Sequence, residues 1–149
     1  MYKQNGPKEM PPEGRGLPIT KVEGIGETYA LTLGSAGIKS TTSLLKAGSS
    51  REGRAEVAAQ TGISGRLILE WVNHADLIRI RGVGGEYSDL LEEAGVDTVP
   101  ELAQRNAANL YEKMQEVNEQ KSLVRRLPSR KQVSEWVEQA KGLPRVIEY

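Results

Sequence analysis

Residues 22–38 read VEGIGETYALTLGSAGI, and residues 80–96 read IRGVGGEYSDLLEEAGV. A shift of 58 residues aligns the two strings, so that Gly24 falls on Gly82 and Gly26 falls on Gly84. Each string opens with two glycines that flank one hydrophobic residue, and each closes on an Ala-Gly-hydrophobe triplet. We therefore interpret the chain as an internal duplication built around two Gly–hydrophobe–Gly turns.

A helix follows each of these turns in the sequence pattern. Tyr29, Leu33 and Ala36 recur at the spacing of one helical face. Gly37 then predicts a left-handed residue after the helix, and the apolar residue behind it completes a Schellman-type stop. The second string repeats this pattern from Tyr87 to Val96. The sequence thus predicts the same turn–helix–stop unit twice.

A second repeated string marks a pair of later helices. Glu-Trp-Val-x-x-Ala begins at Glu70 and again at Glu135, each time within an amphipathic pattern. Because Trp71 and Trp136 occupy the same place in this duplicated pattern, we expect both in the core. The offset is now 65 residues, so the later half contains about seven extra residues, which we place in the segment from Glu119 to Pro128.

The apolar periodicity predicts an all-α fold without strands. No segment alternates apolar and polar residues over a sustained length, as a half-buried strand would. The apolar helix faces are single-sided, so the two repeats, residues 19–76 and residues 77–149, should pack on each other in one compact domain. Residues 1–18 are rich in Pro and Gly and predict a flexible N-terminal arm, with a peptide motif for a partner as the alternative.

Several helix starts are indicated by capping patterns. Ser64 and Asn106 are predicted to cap single helices. Three further Ser/Thr residues have Glu or Gln three positions later, which predicts capping boxes. These pairs are Ser49 with Glu52, Thr98 with Glu101, and Ser129 with Gln132.

Composition limits the classes of function. The chain of 149 residues has 20 basic and 20 acidic residues, so no strong overall field favours nucleic acid or membrane. It has no cysteine, which excludes disulfides and thiolate metal sites, and His74 is its single histidine. No apolar run approaches the roughly 18 residues of a membrane span, and the N-terminus lacks a signal-peptide pattern. We expect a soluble cytoplasmic protein.

The first turn fits a known motif. The pattern h-x-Gly-h-Gly-x-x-x-Ala-x-x-h runs from Val22 to Leu33, and the second copy, from Ile80 to Leu91, departs only by Ser88 at the small-residue position. It resembles the helix-hairpin-helix motif of DNA polymerases of the beta family, DNA ligases and repair nucleases. The resemblance implies a SAM-like helical bundle of two helix-hairpin-helix repeats. It also implies contacts to the sugar-phosphate backbone rather than to bases.

A wider resemblance covers the chain from about Ile19 to its end. The string Leu-Ile-x-x-Trp-Val-x-x-Ala-Asp-Leu at residues 67–77 and the paired tryptophan helices resemble the bacterial proteins grouped as domain of unknown function 4332. This resemblance supports the tandem fold and supplies no activity.

The hairpin glycines and the nearby cations are the candidate nucleic-acid-binding residues. Glycines accept positive φ and leave backbone N–H groups uncovered, and each hairpin opens a helix N-terminus that can face a phosphate. The candidates are Gly24, Ile25, Gly26, Arg79, Arg81, Gly82, Val83, Gly84, Gly85, Arg125, Arg126, Arg130 and Lys131. Two alternatives stay open. In the first, the hairpins serve only as helix joints or as protein-docking surfaces. In the second, the basic segment around Pro128 is a solvated connector whose charge offsets that of the acidic helices.

The leading hypothesis is a non-enzymatic module that binds DNA or RNA backbone without sequence preference. The alternative is a protein-interaction adaptor that uses the acidic face of the second repeat or the N-terminal arm. Carboxylates beside the hairpins, such as Glu23 and Glu27, favour the alternative because they repel phosphate. No catalytic group, cofactor or metal site is predicted, since His74 has no evident nucleophile near it and Glu92 and Glu93 are expected on a helix surface.

Overall fold

The fold is built from α-helices joined by short turns. A computed structural model describes residues 16–149, and within that range it has eight α-helices, no strand and one isolated bridge. A 3-10 turn at Ile19–Lys21 precedes them. The helices are α1 (Glu27–Ser35), α2 (Thr41–Ala47), α3 (Arg51–Thr61), α4 (Gly65–Ile78), α5 (Gly85–Glu93), α6 (Val99–Ala103), α7 (Ala107–Lys121) and α8 (Arg130–Lys141). The predicted all-α fold is confirmed.

The core consists of two apolar clusters that α4 connects. Trp71 lies in the cluster formed by α1–α4, and Trp136 lies in the cluster formed by α5–α8. Leu77, near the end of α4, belongs to the second cluster, while Ile147 from the C-terminal segment returns to the first. Both tryptophans are buried, as expected from their place in the pattern. Across residues 16–149, no helix has the length and apolar character needed to cross a membrane.

Each Gly–hydrophobe–Gly turn rests on a tryptophan. Gly24 and Gly82 have φ of 95° and 94°, in the left-handed region that favours glycine. A Cβ on Gly24 would lie 3.2 Å from Nε1 of Trp71, and one on Gly82 would lie 3.0 Å from Nε1 of Trp136. The backbone conformation therefore favours glycine at the start of the two turns, and a Cβ there would also press on an indole ring.

The predicted helix stops are confirmed at the ends of α1 and α5. Gly37 and Gly95 are left-handed, with φ of 85° and 99°. The Ile38 amide donates to the Leu33 carbonyl at 3.0 Å, and the second copy has the equivalent bond at 2.9 Å. These bonds satisfy carbonyls that the helix end would otherwise leave unpaired.

One predicted capping box is confirmed and one is displaced by a residue. Ser129 and Gln132 exchange both bonds of the box at the start of α8. The prediction of Ser49 as a cap is wrong, because Ser50 accepts from the Gly53 amide at 3.0 Å and α3 begins one residue later than expected. The single caps at Ser64 and Asn106 are confirmed.

The start of α6 is capped from another helix. Thr98 occupies the N-cap position without a side-chain bond, and Glu101 accepts from the Asp97 amide at 2.7 Å instead of closing a box. Oδ2 of Asp76, at the end of α4, accepts from the Val99 amide at 2.8 Å. The predicted local box is therefore replaced by a buried carboxylate that joins the first half of the chain to the second.

Only the last residues of the predicted N-terminal arm can be described. Leu17 exchanges two hydrogen bonds with Thr41, its amide donating to Oγ1 at 2.9 Å and its carbonyl accepting from the amide at 2.8 Å. Residues 16–18 are thus held against the start of α2. The remainder of the predicted arm, residues 1–15, lies outside the described residues.

We expect Gly85→Ala to lower the free energy of unfolding by about 1–3 kcal/mol, the usual cost of forcing extra volume into a packed site. A Cβ on Gly85 would collide with the carbonyl oxygen of Lys21, where the two halves of the chain meet. Gly65→Ala is the matched control, since Gly65 also begins a helix and a Cβ there meets nothing within 4 Å. Urea unfolding of both variants measures the difference, and equal stabilities would contradict this packing.

Candidate nucleic-acid interface

The two hairpins lie side by side although they are distant in sequence. Hairpin one is residues 24–26 and hairpin two is residues 82–85. Their central residues, Ile25 and Val83, are buried anchors. The close approach of Gly85 to the Lys21 carbonyl places the start of α5 against the segment that leads into hairpin one. The fold therefore brings the start of α5 next to the residues that immediately precede hairpin one.

The two helices that follow the hairpins begin without side-chain caps. Their N-cap residues are Gly26 and Gly84, and neither N-terminus has a side-chain hydrogen bond. Among the other helices of residues 16–149, α6 is capped by Asp76 and the rest are capped by their own N-cap side chains. Those side chains belong to Ser40, Ser50, Ser64, Asn106 and Ser129. The first-turn amides of α1 and α5 thus have no side-chain acceptor.

Arg79 is not part of the exposed surface, although its position in sequence suggested a phosphate ligand. Its side chain is 2 % exposed and donates to Oδ1 of Asp76 at 2.6 Å and to the Pro144 carbonyl at 2.8 Å. The last turn of α4 directs this guanidinium inward, where it ties the C-terminal segment to the fold. Arg79 is therefore a structural residue and not a candidate for phosphate contact.

Arg81 is exposed and is held at its backbone by α8. The Arg81 amide donates to Oε1 of Gln139 at 2.9 Å, and Nε2 of Gln139 donates back to the Arg81 carbonyl at 3.2 Å. The side-chain amide of Gln139 thus fixes the entry to hairpin two. The guanidinium of Arg81 remains at the surface beside this turn.

The basic connector, residues 123–128, lies next to α5. The Tyr87 hydroxyl, in the first turn of α5, donates to the Arg126 carbonyl at 2.9 Å. Arg125 and Arg126 are exposed, as are Arg130 and Lys131 at the start of α8. The guanidinium of Arg130 stacks 4.7 Å above the centre of a tyrosine ring on α7. All four predicted cations, two in the connector and two at the start of α8, are therefore at the surface. The connector is adjacent to hairpin two.

A buried histidine lies behind hairpin two, and its partners on α5 were not predicted. Nε2 of His74 is 2.9 Å from Oε1 of Glu92, and Nδ1 is 3.2 Å from Oγ of Ser88. The Ser88 hydroxyl donates to the Gly85 carbonyl at 2.9 Å. Glu70 joins this group, since its carboxylate lies within 4.8 Å of His74 and Glu92. The i,i+4 spacing of Glu70 and His74 was the available signal, but the α5 partners depend on tertiary packing.

Negative charge accumulates beside this histidine. Burial raises the pKa of the Asp89 carboxyl; His74 opposes that change, and three neighbouring carboxylates add to it. Those carboxylates are Glu23, Glu92 and Glu93. Glu93 is paired with Lys121 at 2.6 Å. Asp89, Glu92 and Glu93, which follow hairpin two in sequence, therefore lie close to Glu23, which precedes hairpin one.

Comparison with known proteins places the chain in a family without assigning an activity. No curated protein and no solved structure gives a significant match. The family model described as a domain of unknown function, DUF4332, matches residues 23–143, which include both hairpins and both tryptophan helices. The match covers most of the chain, and the protein belongs to the DUF4332 family.

Proposed function

We propose that the chain is a tandem of two helix-hairpin-helix repeats that binds nucleic-acid backbone without sequence preference and without catalysis. The repeat relationship is supported by matching contacts in the two halves. The rings of Tyr29 and Trp71 meet edge to face with centroids 4.9 Å apart, and those of Tyr87 and Trp136 are 5.3 Å apart. Each pair lies under the left-handed glycine of its own hairpin.

The observation that carries the proposal is the pair of adjacent, uncapped helix N-termini. Unpaired first-turn amides and the positive end of the helix dipole favour a phosphate at such a terminus. Glycine N-caps at residues 26 and 84 add no side chain that would block its approach. Two such termini held side by side suit the regular spacing of phosphates along a nucleic-acid strand better than one alone.

Exposed cations near the hairpins support the same proposal. Lys21 and Arg81 lead into the two hairpins, and the connector residues Arg125 and Arg126 lie beside α5. Arg130 and Lys131 occupy the first turn of α8, where a cation is unfavourable for the helix itself. An external anion at this end of α8 would offset that cost, although the guanidinium of Arg130 also packs on the Tyr111 ring.

The carboxylates around the hairpins limit the expected affinity. Glu23, Glu27 and Glu86 are exposed close to the proposed phosphate positions. We therefore expect a dissociation constant in the non-specific range of about 10⁻⁴–10⁻⁶ M, with a steep dependence on salt. Fluorescence anisotropy with labelled duplex and single-stranded oligonucleotides at low salt tests this. Binding weaker than about 10⁻⁴ M to both would refute the proposal.

We expect Arg125→Gln combined with Arg126→Gln to weaken oligonucleotide binding about tenfold and to flatten its salt dependence, because two phosphate-neutralising charges are lost. Arg51→Gln combined with Arg66→Gln is the matched control, since it removes two exposed arginines from the starts of α3 and α4. An equal effect of the two double substitutions would show that overall charge and not the hairpin face decides binding.

A protein-interaction adaptor is the second candidate. Two separate features favour a protein partner over an anion: the clustered carboxylates around Asp89, and Leu31, whose apolar side chain is 77 % exposed. Affinity capture with and without nuclease distinguishes the two candidates. Contacts that all disappear on nuclease treatment would contradict the adaptor.

A further inference from the structure

The side chains of Glu70, His74 and Glu92, which we call the His74 cluster, converge between α4 and α5 with one donor atom each within 4.8 Å of the others. We propose that the His74 cluster binds a divalent first-row transition metal ion. This site is separate from phosphate binding by the hairpins, and it holds whether or not nucleic acid is the partner.

The hydrogen bonds around His74 hold its ring in one orientation. The Ser88 oxygen is 2.9 Å from the Gly85 carbonyl oxygen and 3.2 Å from Nδ1 of His74. With Nδ1 held at Ser88, Nε2 lies toward Glu92. A hydrogen bond at one ring nitrogen that orients the other is the usual arrangement of a metal-binding histidine.

Nε2 of His74 lies directly beside a carboxylate. Nε2 and Oε1 of Glu92 are 2.9 Å apart, which is a hydrogen-bond distance. The histidine is 3 % exposed, so its ring is enclosed by the fold. A metal ion at this place would replace that hydrogen bond and take both groups as ligands, with a carboxylate oxygen of Glu70 as a third donor within 4.8 Å.

The donor set points to the class of ion. One imidazole nitrogen with carboxylate oxygens suits transition metals such as Zn²⁺ or Mn²⁺, whereas Mg²⁺ and Ca²⁺ prefer oxygen alone. A tetrahedral zinc ion with donors at about 2.05 Å sets two of them about 3.3 Å apart, so Nε2 of His74 and Oε1 of Glu92, now at 2.9 Å, would need to separate only slightly to bind one. Asp89 extends the site. One carboxylate oxygen each from Asp89, Glu92 and Glu93 lie within 4.8 Å of one another, and this second group shares Glu92 with the His74 cluster.

The site is open on one side and closed on the other. Glu70 is exposed and Glu92 is 26 % exposed, so an ion can reach them from solvent. His74 lies beneath them, and the Ser88 bond to Gly85 connects it to the first residue of α5. A bound ion would therefore fasten α4 to α5 and lower the negative charge next to hairpin two.

Isothermal titration of the untagged, metal-free chain with ZnCl₂ or MnCl₂ near pH 7 tests the proposal. We expect one ion per chain, with Zn²⁺ bound at least tenfold more tightly than Mg²⁺. His74→Gln and Glu92→Gln should each weaken binding more than tenfold. Ser88→Ala should weaken it about tenfold, as expected for a residue that orients a ligand. Glu112→Gln combined with Glu116→Gln, which alters exposed carboxylates of α7, is the control.

Because His74 is the single histidine, one further measurement needs no variant. In the ¹⁵N-histidine NMR spectrum of the unaltered chain, Zn²⁺ should shift the Nε2 resonance more strongly than the Nδ1 resonance. Binding with an unchanged histidine spectrum would place the ion on surface carboxylates and overturn the proposal. Absence of binding would overturn it equally.

Discussion

Asp76→Ala is expected to lower the free energy of unfolding by about 3–5 kcal/mol, the cost of leaving one member of a buried ion pair without its partner. The Asp76 side chain is fully buried and accepts from both Arg79 and the Val99 amide. Its loss leaves the guanidinium of Arg79 uncompensated in the interior, and it also removes the cap of α6. Urea denaturation followed by circular dichroism measures the change.

Glu138→Ala provides a matched control for this substitution. Glu138 pairs with Lys141 at the same i,i+3 spacing and in the same order, but both side chains are more than half exposed. Such pairs contribute about 0–1 kcal/mol, so we expect little change. If Asp76→Ala destabilised the chain no more than Glu138→Ala, the buried pair would not be the link between its two halves.

Trp136→Ala should cost about 3–5 kcal/mol, as large-to-small substitutions of buried aromatic residues do. The indole is 2 % exposed, lies beneath Gly82 and contacts Tyr87, whose hydroxyl holds the connector. The loss should therefore loosen hairpin two together with the basic connector, visible as faster amide hydrogen exchange at both.

Leu31→Ala is the control for Trp136→Ala, because Leu31 is a large apolar side chain that is 77 % exposed and should change stability by less than about 0.5 kcal/mol. Trp71→Ala should resemble Trp136→Ala in size if the two halves are equivalent repeats. A small effect at one tryptophan and a large effect at the other would contradict that equivalence.

The helical framework could be predicted because local rules decide it. No other residue has the backbone freedom of the left-handed glycines that follow α1 and α5. Glycine at these positions therefore predicts the helix ends from the sequence. The tryptophan helices follow a strong apolar period, and both indoles are buried as expected. Of the two capping boxes that failed, the one at Ser49 was displaced to the neighbouring Ser50, and the one at Thr98 was replaced by a tertiary contact. The cap of α6 is supplied by Asp76, 22 residues before its N-cap.

The candidate site was less predictable, because charge in sequence does not reveal burial. Arg79 and Arg81 look equivalent as neighbours of hairpin two, yet Arg79 is buried against Asp76 and Arg81 is exposed. The contact between Gly85 and Lys21 joins residues far apart in the chain, so no local pattern could place the hairpins together. The surroundings of His74 were hidden for the same reason.

The central claim is that the first-turn amides of α1 and α5 contact a nucleic-acid backbone. A ¹H–¹⁵N NMR titration of the chain with a short DNA duplex at low salt tests it most directly. We predict that the largest amide shifts fall on residues 27–29 and 85–87 together, with smaller changes along the connector. Shifts confined to the connector and the start of α8, or no shifts at either hairpin, would contradict the account.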